Sequence, residues 1–169
     1  KIFEEKNSLL RSYDLFFIGL LHDLGKPLLT IFLEEPYQGV FEIIAQEGLT
    51  THEAEQRILG INHAEAGMML AKKWKFPPSV IEGIALHHNP ASVNGESHIR
   101  QAIAAIHLSD IIVWQRGLDD GISEKSPSPH DEALKILNIT SEDLDVVASQ
   151  FESKQGELQG LVDTLNGLG

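Results

Sequence analysis

Apolar residues return at spacings of three and four along nearly the whole chain, and the strict apolar–polar alternation of half-buried strands is missing. This pattern predicts an all-α protein. A first helix is expected from about Tyr13 through Phe16, Phe17, Leu20 and Leu21 to Leu24, with Gly25 and Pro27 as its punctuation. A short second helix follows near Leu28 to Leu33. Pro36 opens a segment carrying Phe41, Ile43 and Ile44 that Gly48 stops, and Thr51 is expected to cap a turn or two containing Glu53 and Glu55.

Asn62 stands three residues before Glu65 and just ahead of Ala66, Met69 and Leu70, a capping-box spacing that predicts a helix reaching Trp74 with His63 in its first turn. Pro77 and Pro78 lead into a helix with Val80, Ile81, Ile84 and Ala85, which ends around His87 and His88 before Pro90. A long helix from about Ser97 to Trp114 presents Ile99, Ile103, Ile106 and Ile111 or Ile112, with Asp110 in its last third. Residues 119–130, rich in Asp, Gly, Ser and Pro, read as an exposed loop, and residues 131–169 as a C-terminal helical extension of a single domain. Asp131 to Leu137 is its short helix, and Thr140 with Asp143 begins the last one. In that helix Leu144, Ala148, Phe151, Leu158, Val162 and Leu165 form a stripe broken by Gln155. Packing on the domain's own core is favoured over a homodimer seam, because barely three heptads are available and Gly156 and Gly160 weaken the helix.

Composition narrows the function. The 169 residues suffice for one domain with a hydrophobic core, and 42% are apolar. Thirteen basic against 25 acidic residues leave a formal charge of −12, which repels a phosphate backbone and argues against a nucleic-acid partner. The short basic run Lys72, Lys73 and Lys75 beside Trp74 reads as a solvated helix face. Without cysteine there is no disulfide, thiolate nucleophile or cysteine zinc site, which fits the cytoplasm. Runs such as Leu15 to Leu21 fall short of the roughly 20 residues that span a bilayer, so no membrane association is expected. With no initiator methionine or signal-peptide pattern, the chain is expected to start inside a larger domain, its N-terminal part truncated.

The residues that could carry chemistry are His22 beside Asp23, His63 at a helix start, His87 beside His88, and Asp110. A single histidine on a partly apolar helix is more often a hydrogen-bonded structural residue than a ligand; the set together points to metal. Imidazole with carboxylate suits iron, manganese or zinc, one ion or two, and Asp23 is the natural bridge because a carboxylate has two oxygens to share. Two such ions activate a water and stabilise charge on a phosphoryl group. Lys26 either adds a positive contact to a phosphate or is a surface lysine near a helix end.

The segment Gly19-Leu20-Leu21-His22-Asp23-Leu24-Gly25-Lys26 resembles the signature of the HD superfamily. Glu55, Gly60-Ile61-Asn62-His63-Ala64-Glu65-Ala66-Gly67, Leu70-Ala71, Trp74, Pro77 and His87-His88-Asn89-Pro90 resemble the running pattern of bacterial-type HDOD domains. The likeness continues through His107-Leu108-Ser109-Asp110 and through Leu137-Asn138-Ile139 to Ser141-Glu142-Asp143-Leu144, covering nearly the whole chain. The resemblance implies an HD-domain-like helical bundle, of which this chain is the C-terminal part. It implies metal ligands at His22, Asp23 and Asp110, a second set at His63, His87 and His88, and a further histidine before residue 1. Asn89-Pro90 stands where the HD-GYP phosphodiesterases carry an extended Gly-Tyr-Pro segment, which argues against cyclic-dinucleotide cleavage.

Two functions follow. The first, which the resemblance favours, is an HDOD-type signal-transduction module, with or without a bound metal, that binds a partner protein or small signalling ligand without catalysis. The second is a metal-dependent phosphohydrolase acting on a phosphate ester or nucleotide, with Asp23 and Lys26 as its catalytic residues.

Overall fold

Tyr13–Leu21 forms the first helix, α1, in a computed structural model that describes residues 13–93, 97–117 and 131–166, with side chains for 15–93, 98–117 and 131–156. The helix ends before its expected limit at Leu24. Leu24 N–H turns back to the Leu21 carbonyl at 3.0 Å, so His22, Asp23 and Leu24 make a turn instead of a fourth helical layer. The second helix, α2, spans Gly25–Phe32 and starts on the glycine that was expected to end α1. Gly25 is there for contact: a Cβ at this position would lie 1.9 Å from the His63 carbonyl oxygen. Pro27 falls in the first turn of α2, where a missing N–H has no intrahelical partner to lose.

Helix α3 covers Glu34–Glu47, with Pro36 in its first turn, and Gly48 closes it at φ 62° in the left-handed region. Helix α4, Thr51–Leu59, is nine residues long and is capped by Thr50, one residue earlier than expected. Thr50 Oγ1 accepts from Glu53 N–H at 3.3 Å while the Glu53 carboxylate accepts from Thr50 N–H at 2.9 Å. Helix α5, His63–Lys73, has the capping box anticipated from Asn62 and Glu65, with bonds of 3.0 and 3.3 Å. It follows that His63 is the first helical residue. Pro78–Leu86 forms α6, Ser97–Gln115 forms α7, Asp131–Leu137 forms α8 and Ser141–Asn166 forms α9, whose start is capped by the Thr140–Asp143 pair. No strand occurs among the described residues, and the fold is all-α as the periodicity predicted.

Two apolar clusters hold these helices. The larger joins Ile18 of α1, Ala71 of α5, Val80 and Ile84 of α6, the middle of α7, and Ala133, Leu137 and Ile139 around α8. Residues 102–108 of α7 are buried without interruption, so α7 is a central helix rather than a surface one with a single stripe. Ala102, Ala104 and Ala105 let its neighbours approach on several sides. The smaller cluster packs Leu29, Tyr37, Val40, Ile44, Ala54 and Ala66 between α2, α3, α4 and α5. Helix α5 contributes to both, through Ala66 and Ala71, and its first residue is His63.

Leu144 packs against the larger cluster and Ala148 is buried, so the first part of the α9 stripe lies on the domain's own core. The side chains of Leu158, Val162 and Leu165, and the loop expected over 119–130, lie outside the described residues. Leu15–Phe32 is long and apolar enough by composition to cross a membrane, but the turn at His22–Leu24 divides it into two helices.

Candidate metal centre

Three separated stretches of chain deliver the centre. Asp23 comes from the turn between α1 and α2, His63 from the start of α5, and His87 and His88 from the turn that ends α6. Each of these four offers a ligand atom, and the four atoms lie within 4.8 Å of one another. His22 and Asp110 stand beside this group: His22 Nε2 is 3.3 Å from Asp110 Oδ1 and 3.5 Å from Asp23 Oδ2. Lys26 Nζ lies 2.9 Å from Asp23 Oδ2. All the residues singled out in the sequence therefore meet in one place.

The histidines are oriented alike. Nδ1 of His22 donates to the Gly19 carbonyl at 2.8 Å, Nδ1 of His87 to the Ile84 carbonyl at 2.8 Å, and Nδ1 of His63 to Glu55 Oε2 at 2.5 Å. At His63 and His87 the proton held on Nδ1 leaves the Nε2 lone pair pointing inward, the tautomer that a metal-ligating imidazole needs, whereas His22 keeps a second proton on Nε2 toward Asp110. His87 Nε2 is fully buried and has no hydrogen-bond partner. Such an atom loses its water without compensation unless something electropositive faces it.

Separations between the donor atoms bracket those of ligands on one ion. Two ligands at about 2.0–2.1 Å from a metal, at octahedral to tetrahedral angles, stand about 2.8–3.4 Å apart. His63 Nε2 and Asp23 Oδ1 are 3.3 Å apart, and His87 Nε2 and Asp23 Oδ1 are 3.7 Å apart. His63 Nε2 and His88 Nε2 approach to 2.7 Å, a distance at which a proton must sit between them when no cation does. The Asp23 side chain keeps 39% of its surface exposed, which leaves the centre open to solvent on that side.

Charges in the centre are strongly perturbed. Burial alone would lower the His22 pKa, but the hydrogen bond and charge of Asp110, with the charge of Asp23, outweigh it and raise it to about 9. Burial opposes the Asp23 charge too, and His22 and Lys26, followed by His63 and His87, overcome it and hold Asp23 at about 2. Burial, reinforced by the neighbouring imidazoles, pushes His87 and His88 well below the usual histidine range.

The signs give a pH profile for the metal-free fold. His22, raised above its unfolded value, contributes stability that is complete below about pH 6.5 and is lost as the pH rises through about 9. His87 and His88, depressed, contribute above about pH 6.5 and lose that contribution as acid protonates the unfolded chain first. The melting temperature in chelator is expected to peak near pH 6.5 and fall on both sides. A flat profile from pH 5 to 9 in scanning calorimetry would contradict this assignment of charges.

Sequence reasoning missed three contributors. Glu55, fully buried, takes the Tyr37 hydroxyl at 2.7 Å on one oxygen and both the backbone N–H and Nδ1–H of His63 on the other. His107 Nδ1 donates to the His87 carbonyl at 2.9 Å, fixing the turn that carries the histidine pair. His52, in the first turn of α4, packs its ring 4.7 Å from that of His88, and burial lowers its pKa. Glu55 and His107 stood within the family-like pattern but had no role there, because neither is adjacent in sequence to the residue it holds.

An all-helical fold with histidines and aspartates meeting at the α1–α2 turn is that of the HD-like class. The HDOD domain family model matches residues 2–90, more than half of the chain, and the chain belongs to the HDOD family. Over 76 residues it is 36% identical to an uncharacterized protein of Treponema pallidum (strain Nichols), a match covering 45% of this chain and 15% of that relative. The crystal structure of an HDOD domain protein with unknown function from Geobacter sulfurreducens superposes with a TM-score of 0.74 at 23% identity. That likeness of fold covers 95% of this chain and 56% of the other, so the chain spans well under two thirds of either relative.

Proposed function

We propose that this HDOD domain is a regulatory module that holds a divalent iron, manganese or zinc ion through Asp23, His63, His87 and His88 and responds to it without turning over a substrate. The observation that carries this reading is the convergence of those four donors from three segments that lie far apart along the chain. An ion there would tie the α1–α2 turn, α5 and α6 into one arrangement, and its loss would release them. A helical surface that changes with the centre is what a partner protein or small signalling ligand would read. The charge of −12 leaves nucleic acid and anionic membranes outside that partner class.

A specific feature favours a second reading, a phosphohydrolase of phosphate esters or nucleotides. Asp23 presents two differently surrounded oxygens in an open position, with the Lys26 ammonium beside one of them. A bound ion would supply Lewis acidity and an activated water. Asp23 would help hold that ion and accept a hydrogen bond from the attacking water, and Lys26 would neutralise a phosphate.

Elemental analysis of protein purified without chelator or nickel, followed by melting with added metal, tests both. At a hundredfold excess over Kd, metal should stabilise by about 2.7 kcal/mol, a rise of about 5–10 °C. Asp23→Ala should lose both metal and shift. A full metal load on Asp23→Ala would show that the centre is misassigned, and hydrolysis of a generic phosphodiester by the loaded wild type would replace the regulatory reading with the enzymatic one.

A further inference from the structure

The end of α5 puts apolar and basic residues into solvent together. Met69 and Trp74 are 60% and 55% exposed, and Lys72, Lys73 and Lys75, all exposed, flank the indole along the chain. Lys26, Arg57, Arg100, Arg116 and Lys135 each have a carboxylate within 4.0 Å, whereas among the described residues these three lysines have none. Lysines at a helix C-terminus complement its dipole, which accounts for the charges but not for an indole left half in water. The backbone is fixed there. Phe76 N–H donates to the Ala71 carbonyl at 3.0 Å and Lys75 N–H to the Lys72 carbonyl at 3.1 Å, a chain reversal that puts Lys75 at φ 57°. Glycine takes this left-handed position without strain; a lysine there keeps a third charge beside Trp74.

The turn from α2 to α3 has the opposite character. Ile31 and Phe32 are 71% and 78% exposed, more than any other large apolar side chain among the described residues. Glu34 and Glu35 follow them in the first turn of α3, exposed and with no basic partner among the described residues.

We propose that the Lys72–Lys75 corner of one copy docks on the Ile31–Glu35 corner of a second copy of this chain. The proposal does not rest on the metal-binding reading.

One chain supplies both ends of the contact. The indole and the Met69 thioether meet Ile31 and Phe32, and three unpaired ammonium groups meet two unpaired carboxylates. Apolar side chains exposed to this extent and rimmed by charge have the composition of a docking site. A chain of net charge −12 is repelled by its copy at long range, so the attraction is local, acting within a screening length of about 8 Å. The same net charge opposes an anionic membrane, the other surface that lysines around a tryptophan fit. Two corners of this size make a small interface, and the association is transient.

Sedimentation equilibrium over a concentration series tests this. Wild type is expected to gain mass with concentration. Trp74→Ala, Lys72→Glu with Lys73→Glu, and Glu34→Lys with Glu35→Lys are each expected to weaken association about tenfold or more. Each glutamate reversal removes two units of negative charge, so relief of general repulsion would strengthen association, and only a lost local contact weakens it. Mixed one to one, the two charge-reversed variants again offer opposite signs at both corners, and association is expected to return. All the substituted side chains are exposed, and if one variant melts abnormally the other two carry the test. Wild type still monomeric at millimolar concentration, charge reversals that leave association unchanged, or a mixture that stays monomeric would overturn the proposal. Binding of a monomeric wild type to phosphatidylserine vesicles, lost on lysine reversal, would overturn it too and give the lysine corner to a membrane.

Discussion

Gly25→Ala is expected to lower stability by about 3 kcal/mol, near the upper end for overpacking, and to weaken metal binding with it. The added methyl would sit 1.9 Å from the His63 carbonyl oxygen, 2.6 Å from its carbon and 2.8 Å from Gly67 N. All three are backbone atoms in α5, so no rotamer change relieves the clash, and α2 would have to move away from α5. That displacement separates Asp23 from His63, the two residues that face each other at 3.3 Å across this contact. Alanine's better helix propensity returns less than about 1 kcal/mol. A drop of about 6–12 °C in Tm, measured without metal, is the expected readout. A variant within 2 °C of wild type (roughly the shift from half a kcal/mol) would mean that the helices are not in this contact. By contrast, a Cβ on Gly39 would meet only the Ile58 side chain, at 3.3 Å, which has room to adjust.

Glu55→Ala is the second large effect. Its carboxylate is the shared acceptor for the Tyr37 hydroxyl, the His63 N–H and His63 Nδ1–H, all buried. Truncation leaves these donors without a partner in a site closed to water, at a cost of about 3–4 kcal/mol. It also frees the His63 ring to turn and to change tautomer, so metal affinity should fall about 10–100-fold. Glu55→Gln separates the two effects. It keeps the volume and an oxygen for one donor, so it should recover much of the melting temperature while affinity, measured by competition with a chelating dye, stays reduced. Full affinity in Glu55→Ala would mean that His63 is oriented by something else.

These residues mark how far the chain could be read without its fold. The capping box of Asn62 and Glu65, the left-handed stop at Gly48 and the proline entry at residues 77 and 78 are local devices whose partners lie within a few residues. They act through bonds the nearby backbone makes in any context, and the helices they bound were legible for that reason. The histidines and aspartates were legible as a group because their chemistry is unusual enough to stand out wherever the helices place them.

Gly25 shows the opposite case. Read locally it is a helix stop; in the fold it begins α2, because the reason for a glycine there lies 38 residues away at the His63 carbonyl. The same limit explains Glu55, a buried carboxylate whose purpose is invisible until Tyr37 and His63 close on it, and His52, which acquires a neighbour only when α4 meets the end of α6. Helix positions and ligand chemistry are written in short-range pattern. Which oxygen of Asp23 faces the histidines, which faces Lys26, and how closely α2 can approach α5 are set by packing between elements far apart along the chain, where a few tenths of an ångström decide what fits.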